Sequence, residues 1–517
     1  MANKQSDEEN KSIYVVSFQL QTEKWQEHLF DKRFAILNNI YNNLQKKYKR
    51  KYHYIIQSKE YKEAEKNKKI KDFFKKYEEP WIKIKKNERV ESTYKPFTEY
   101  GLKSYSSKFL ENNINNGINS VILQSISDNA WKAWDKFLYG NGKKINYSKS
   151  FDSYKIGFVK SKDKKYFIGL DSSQIIDKHI IGVTINNRKI YIPFKVNKNS
   201  IYENICFQDE IREIGFKRKL IRGKYKYYIF FSFKGKPYNN GRTLGNGNVG
   251  IDIGPSTIAV VSKNNVFIDE LAKNISVDYK KISELQRKLD RSRRSNNKEQ
   301  YNEDGTIKRF KKGERPKWIE SKNYIKLKNK INDLQRKVTE KRKISHSILA
   351  NNIITLGSNF KVENNPISSW QKRSKETTIN SKGKFNCKKR FGKSLANHAP
   401  SSFIEILKNK ITSLNGTFEK IDIKNAASQF DFTNQTFTQH KLNVRNIQLS
   451  NGNIHLRDTL AAFNIMHCKN IEKNKSQLNY DIEQMFNDYN NFLLLEKEEI
   501  RRHQTSNNKL IKSFGIK

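Results

Sequence analysis

The chain has 517 residues, and its 101 Lys and Arg residues against 53 Asp and Glu residues give a formal net charge of +48. No run approaches the roughly 20 apolar residues of a membrane span, and the N-terminal segment MANKQSDEENKS lacks the apolar core of a signal peptide. The three cysteines are far apart and form no CxxC pair, which excludes a cysteine zinc site and indicates a reducing compartment. A positive charge of this size predicts a polyanionic partner, most simply nucleic acid, for a soluble intracellular protein.

The N-terminal half of the chain alternates between strand and helix patterns. Residues 13–20, IYVVSFQL, are β-branched and aromatic and predict a strand. Apolar residues then recur at helical spacing to about Trp134. Between residues 144 and 238, short alternating segments predict a small β-barrel or sandwich. We expect strand 13–20 to join it, so that the helical block is an insertion, and we interpret the Gly- and Asn-rich segment 235–248 as a linker.

The segment 248–264, NVGIDIGPSTIAVVSKN, predicts a buried strand, a tight turn and a second strand. Asp252 stands in the middle of the first strand. A carboxylate there costs free energy unless it is paired, hydrogen-bonded or bound to a metal. Such an acid suits the opening strand of a ribonuclease H-like nuclease fold, and the alternative is an Asp that caps its own turn.

Two further acids stand at the ends of predicted elements. After two long basic helices over 277–294 and 320–349, a short strand ends at Glu363. Asp458 begins a helix, a position where an acid is ordinarily a cap or a favourable partner of the helix dipole. The residues of this helix predicted to face a core are Ala461, Ile465 and Cys468.

Asp252, Glu363 and Asp458 form an ordered set, and the strands and helices between them follow the sequence that a ribonuclease H-like core requires. Two divalent ions about 3.5–4 Å apart can activate a water and stabilise the leaving oxygen of a phosphodiester. Mg²⁺ prefers hard oxygen ligands, which three carboxylates supply. The set therefore predicts metal-dependent phosphodiester cleavage.

Three motifs carry a family resemblance: GIDIG at Asp252, FKVE ending at Glu363, and RDTLAAFNI at Asp458. They resemble the RuvC motifs of TnpB, the transposon-encoded RNA-guided nuclease, and of the compact type V CRISPR effectors. The resemblance implies that the three acids are catalytic and bind two Mg²⁺ ions, with Mn²⁺ as the alternative. It also implies a guide RNA, a target DNA, a short motif read beside the target, and a prokaryotic cytoplasmic protein associated with the nucleoid. Asn464 matches the last Asn of the family's D-x-N-A-A-x-N motif, whereas Leu460 replaces its first Asn.

The chain departs from this family before Asp458, where a zinc ribbon is usual. The positions of its four cysteines hold other residues, namely Asp431, Asn434, Gln448 and Asn451. Polar replacements cannot build a tetrahedral thiolate site. We predict a degenerate ribbon that keeps its hairpins, binds no zinc, and has a small core supplied by Phe430, Phe432, Phe437 and Leu442. His440 and His455 are alternative metal ligands, although satisfied or exposed histidines are the more ordinary interpretation.

The predicted fold class is multidomain α+β. It combines a ribonuclease H-like (RuvC) nuclease domain, a β-barrel wedge domain with a helical recognition insert, and the zinc-free ribbon-like insert. The predicted domains are a wedge at 1–22 and 142–240, a recognition domain at 23–141, a nuclease domain at 241–425 and 453–485, a target-binding insert at 426–452, and a charged tail at 486–517.

The predicted function is RNA-guided DNA endonuclease activity. The alternatives are an RNA-guided DNA-binding protein that does not cut, and a guide-independent transposase or resolvase on the same fold. Trp370, Lys372 and Arg373, just past Glu363, are candidate nucleic-acid contacts, and the alternative for Trp370 is packing on the nuclease core.

Overall fold

The computed structural model describes residues 12–75, 97–140, 142–158, 180–185, 188–273, 275–310, 317–371, 376–379, 383, 385, 391–441, 444–469, 479–505 and 513–516. The chain divides into two compact α+β units, Met1–Asn240 and Gly241–Lys517. The division lies in the segment 235–248 that the sequence predicts to be a linker. No helix of the described residues is long and apolar enough to cross a membrane.

The first unit contains one six-stranded antiparallel sheet and a group of helices. Its strands are β1 (Ile13–Leu20), β2 (Ser153–Phe158), β3 (Ile180–Ile185), β4 (Arg188–Lys195), β5 (Ile211–Ile221) and β6 (Lys224–Lys234). Its helices are α1 (Lys24–Ile55), α2 (Lys59–Lys66), α3 (Ile70–Lys75), α4 (Glu99–Ser106), α5 (Ser120–Leu138) and α6 (Ile201–Ile205).

Strand β1 lies inside this sheet, whose order is β2-β5-β6-β1-β4-β3. It pairs antiparallel with β4 and β6, so the helices α1 to α5 enter the chain between two strands of one sheet, as the sequence predicts. Over the described residues the order is open, with β2 and β3 at its edges, and the barrel stays a prediction.

Helix α1 packs on the first unit's core through one stripe of apolar side chains. The buried residues follow the helical period and are Phe30, Phe34, Leu37, Ile40 and Leu44. Each large apolar side chain that is fully buried contributes roughly 1.5–3 kcal/mol. This stripe therefore attaches a helix of 32 residues, most of whose other side chains are polar.

The second unit is built on a five-stranded mixed sheet of order β11-β10-β7-β8-β9. The strands are β7 (Asn248–Ile253), β8 (Thr257–Ser262), β9 (Asn265–Glu270), β10 (Asn359–Glu363) and β11 (Thr417–Ile421). Strands β7, β8 and β9 form an antiparallel meander, whereas β10 runs parallel to β7 and β11 runs parallel to β10.

Helices cover both faces of this sheet. The helices of the unit are α7 (Tyr279–Ser295), α8 (Lys322–Ile354), α9 (Gly392–His398), α10 (Pro400–Ser413), α11 (Arg457–Met466) and α12 (Ile482–Thr505). Two short hairpins lie between α10 and α11. The first pairs β12 (Phe430–Asp431) with β13 (Thr436–Phe437), and the second pairs β14 (Asn446–Gln448) with β15 (Ile454–Leu456). Helices α8 and α10 share one buried core with the sheet, and α11 and α12 share the other.

The prediction of a charged tail from residue 486 is wrong. Those residues form most of α12, which packs on the sheet and on α11. Met485, Tyr489 and Phe492 recur at i, i+4 and i+7 and are buried, and Phe514 and Ile516 beyond the helix are buried as well. In the sequence, Asn residues and Asp488 interrupt this apolar stripe, and the charged segment 496–502 follows it.

Candidate active site

The three predicted acids lie around one cavity of the second unit, with a volume of about 510 Å³. Asp252 is on β7, Glu363 is the last residue of β10, and Asp458 is in the first turn of α11. Because β10 runs parallel to β7 with Val362 opposite Ile251, the next residue of each strand places Glu363 beside Asp252 at the same end of the sheet.

Alternation along β7 points Asp252 towards α11. Val249, Ile251 and Ile253 belong to the opposite core, so Gly250 and Asp252 face the other way. A Cβ atom on Gly250 would lie only 1.9 Å from the carbonyl oxygen of Ala462 in α11. Glycine at this position therefore lets the helix that carries Asp458 lie directly on the strand that carries Asp252.

Crowding of carboxylates in a buried site changes their acidity. Burial, reinforced by the nearby carboxylates of Asp458 and Glu363, raises the pKa of Asp252 well above its ordinary value, although Arg457 opposes this. Burial also raises the pKa of Glu363, against the effect of a hydrogen bond from Asn365. The ionised Asp252 carboxylate is thus repelled by Asp458 and Glu363, and a bound cation would offset this repulsion.

Two arginines partly compensate this charge, and the sequence motifs did not single them out. Arg457 donates to Asp458 Oδ1 from Nε at 3.1 Å and from Nη2 at 3.0 Å. Arg445 Nη1 lies 3.8 Å from Asp458 Oδ2. The sequence signals the Arg457–Asp458 contact only by placing the two residues next to each other. It gives no signal for Arg445, which reaches Asp458 from the hairpin insert.

The side chains fit a hard divalent cation by their chemistry. Three carboxylates from three elements converge on one cavity, and burial together with the other two carboxylates raises the pKa of Asp252. Over the described residues, no group of three or more His, Cys, Asp or Glu side chains is drawn together tightly enough to hold a metal ion.

Aromatic and polar side chains line the rest of the cavity. Trp370, in the short helix Ile367–Gln371, is partly buried in the cavity wall. Phe391, His440 and Arg445 also line the cavity. An aromatic side chain in a cavity wall can stack on a nucleic-acid base. The other two predicted contacts, Lys372 and Arg373, lie outside the described residues.

In the third motif, the matching residue Asn464 and the departing residue Leu460 have different structural effects. The Asn464 amide nitrogen donates to the carbonyl oxygens of Ala427 at 2.8 Å and Phe430 at 2.9 Å, so it ties α11 to the first hairpin of the insert. Leu460 is buried in the core shared by α11 and α12. An apolar residue at this position therefore adds packing where the family has an amide.

In the insert, hydrogen bonds of Asp431 join the two hairpins. One carboxylate oxygen accepts from the Thr433 N–H at 2.9 Å and hydroxyl at 2.6 Å, and the other accepts from the Ser450 N–H and hydroxyl, both at 2.8 Å. Burial alone would raise the pKa of Asp431, but these hydrogen bonds outweigh it and lower the pKa. A carboxylate thus connects the loops of both hairpins.

The predicted core of the insert is partly observed. Phe430 and Phe432 are buried, and Phe430 stacks on Tyr480 with ring centroids 4.3 Å apart. Phe437 is 43% exposed although its ring contacts Phe430, and Leu442 lies outside the described residues. Of the two histidines, His440 lines the cavity, whereas His455 is buried and hydrogen-bonded on both ring nitrogens.

Comparison with known proteins gives similarity to solved structures only, since no family model and no curated protein matches the chain. The chain is similar to the Cas12f1–sgRNA–target DNA complex, at 14% identity over 88% of this chain and 99% of that chain, with a TM-score of 0.41. It is similar to a CRISPR-Cas12f ternary complex at 14% identity over 88% and 87% of the two chains, with a TM-score of 0.22. For the mini RNA-guided endonuclease CRISPR-Cas_phi3 the identity is 12% over 64% of each chain and the TM-score is 0.29. These solved structures are of the kind that the sequence motifs resemble, compact type V effectors.

Proposed function

We propose that this chain is an RNA-guided DNA endonuclease with a single RuvC-type, ribonuclease H-like site. The observation that carries the proposal is the convergence of Asp252, Glu363 and Asp458 on one cavity. A sheet in which two parallel strands adjoin an antiparallel meander supports the ribonuclease H-like assignment, because it puts the ends of β7 and β10 beside the start of α11.

Asp252, Glu363 and Asp458 would hold the Mg²⁺ ions, which when bound activate a water and stabilise the leaving oxygen. The raised pKa of Asp252 means that this carboxyl group retains its proton to a higher pH than an ordinary Asp. Its ionisation is therefore coupled to cation binding. Arg457 and Arg445 hold the Asp458 carboxylate and add positive charge at the cavity, where a phosphate group has to enter.

Nucleic-acid partners are supported by charge and by paired basic and aromatic side chains. The net charge is +48. In the first unit, Lys49 lies over the ring of Tyr147 at 4.0 Å, and Lys217 and Lys219 both approach the ring of Tyr228. Tyr147 is exposed and Tyr228 is half-buried, and lysines beside such rings suit a nucleic-acid strand whose phosphates and bases are contacted together. We therefore propose a guide RNA and a target DNA as the partners.

A second candidate is an RNA-guided DNA-binding protein that does not cut. Leu460 in the third motif and the spacing of the carboxylates favour it, since the acids are not drawn together as they stand. The raised pKa of Asp252 argues against it, because an idle site has no need of three acids that repel one another.

Sequencing of the RNA that co-purifies with the full chain, expressed from its native locus, tests the proposal. We expect a discrete structured RNA with a variable end, and Mg²⁺-dependent cutting of DNA that matches this end. Binding of the matched DNA without cutting would favour the second candidate. Equal cutting after the RNA is removed would instead support a guide-independent transposase or resolvase.

A further inference from the structure

The first turn of α11, which carries Asp458, is held by a buried acid of α12. Glu496 is 1% exposed. Its Oε1 accepts from the Leu456 N–H at 3.0 Å and from the Thr459 hydroxyl, and its Oε2 lies 2.6 Å from Nδ1 of His455. His455 and Leu456 precede Asp458 in the sequence, and Thr459 follows it. One carboxylate is therefore hydrogen-bonded to the chain just before and just after the candidate metal ligand.

A second residue of α12 completes this arrangement. Because a carboxylate only accepts, His455 Nδ1 donates to Glu496, and Nε2 accepts from the Tyr489 hydroxyl at 2.8 Å. The Tyr489 oxygen accepts in turn from Asn453 Nδ2 at 2.9 Å and Asn451 Nδ2 at 3.2 Å. Strand β15 and the turn before it are thereby fixed to α12 by bonds that satisfy both histidine nitrogens.

The chemistry of position 496 indicates a purpose other than packing. Met485, Tyr489 and Phe492 form the apolar stripe of α12, and Glu496 follows Phe492 by four residues on the same face. A carboxylate buried there costs free energy that an apolar side chain of similar volume would avoid. What Glu496 adds is a fixed geometry for the backbone and the hydroxyl that it binds.

A neighbouring acid of α12 provides a natural comparison. Glu499 is also buried, at 5% exposure. Its Oε1 accepts from the Ile268 N–H of β9 at 3.0 Å and from Arg502 and His503 of its own helix. Glu499 therefore fixes α12 to the edge of the sheet, whereas Glu496 fixes it to the start of α11.

We propose that Glu496 is a positioning residue for the nuclease site, which sets the place of the Asp458 carboxylate through Leu456, Thr459 and His455. The inference rests on the proposed function, since it concerns a metal ligand of that site. Outer partners of metal ligands typically change metal affinity 10- to 100-fold when they are removed. The same range is expected here, without loss of the ligand itself.

The test titrates Mn²⁺ into the full-length protein and follows bound Mn²⁺ by electron paramagnetic resonance. Glu496→Ala is expected to weaken Mn²⁺ binding about 10-fold or more. Glu496→Gln should retain most of the affinity, since its carbonyl oxygen accepts from Leu456 and Thr459 and its amide can donate to the other tautomer of His455. Glu499→Ala is the matched control: it should lower the melting temperature and leave Mn²⁺ affinity unchanged.

Hydrogen exchange of the amides of residues 457–460 is the second readout, because it does not require a working metal site. Glu496→Ala should accelerate exchange there, and Glu499→Ala should not. Equal Mn²⁺ affinity and equal exchange in the wild type and Glu496→Ala would overturn the inference. If Glu496→Ala fails to fold, Thr459→Val removes one of the three bonds at constant volume, and wild-type exchange in that variant would overturn it as well.

The proposed function can fail separately. Wild-type protein that binds no more Mn²⁺ than Asp458→Ala would contradict the metal site itself. The exchange measurement would then still decide whether Glu496 fixes the first turn of α11.

Discussion

The ionised Asp252 carboxylate destabilises the folded protein, although the proposed chemistry requires it as a metal ligand. This carboxyl group is enclosed between β7 and α11, next to two further carboxylates. Because its pKa in the folded protein lies above the ordinary 3.8, the folded state binds the proton more tightly than the unfolded state. The ionised form is thus destabilising, and stability is lost as the pH rises through the folded pKa.

Asp252→Asn should therefore raise the melting temperature of the metal-free protein at pH 7 to 8 by a few degrees, because a neutral amide removes the repulsion at constant size. Mg²⁺ should raise the melting temperature of the wild type and have less effect on the variant. Glu419→Gln, on β11 of the same sheet but outside the cavity, is the control and should change little. A lower melting temperature for Asp252→Asn in chelator would contradict this account.

The pKa of His346 is shifted in the opposite direction to that of Asp252. His346 is buried in α8 against Phe403, and its Nε2 lies 2.9 Å from the carbonyl oxygen of His398. Its Nδ1 has no hydrogen-bond partner among the described residues. Burial lowers the pKa of His346 to about 4, from 6.5 in an open environment. Its neutral form contributes stability that is fully present above pH 6.5 and is lost as the pH falls towards 4.

We expect the melting temperature of the wild type to fall between pH 6.5 and pH 4, and this fall to be shallower in His346→Gln. Thermal unfolding across that range measures it. Parallel curves for the two proteins would assign the acid sensitivity to other groups.

At the scale of elements, a hydrogen-bonded carboxylate joins the two hairpins of the insert, where the motif resemblance implies a zinc ribbon. Asp431→Ala removes four hydrogen bonds from Thr433 and Ser450 and should cost about 1–3 kcal/mol. Gln448→Ala is the control, because its amide has one long bond, of 3.4 Å, to Gly452. Chemical denaturation in buffer without Mg²⁺, with and without chelator, measures both effects, and a loss of wild-type stability on adding chelator there would speak against a zinc-free insert.

Elements with a clear period could be predicted from the sequence, whereas those with mixed signals could not. The alternation around Asp252 and the stripe on α1 indicate their elements directly. Helix α12 was missed because Asn residues and Asp488 separate Met485, Tyr489 and Phe492, and the charged segment 496–502 follows them. The bond between His455 and Glu496 joins residues 41 apart, and no local pattern reports such a contact.

At the scale of the whole molecule, the sequence predicted that the three acids belong to one site, because each stands on a predicted strand or at the end of a predicted element. The structure places all three in the lining of one cavity. The contacts that set their charge could not be predicted in this way. Arg445 reaches Asp458 from the insert. Its compensation of the Asp458 charge depends on how the insert packs beside α11, which no sequence motif reports. A chain of net charge +48 thus keeps three acids together in one cavity, as an enzyme that draws in a polyanion and cuts it at bound cations would require.

The central claim is tested most directly by the cutting of guide-matched DNA in Mg²⁺ by RNA complexes of the wild type and of Asp252→Ala, Glu363→Ala and Asp458→Ala. We predict that the wild type cuts and that each variant cuts on the order of 10³-fold more slowly, since each loses a ligand of the ions that stabilise the transition state. RNA binding should be the same in all four proteins. Cutting at the wild-type rate by any one variant would contradict the account.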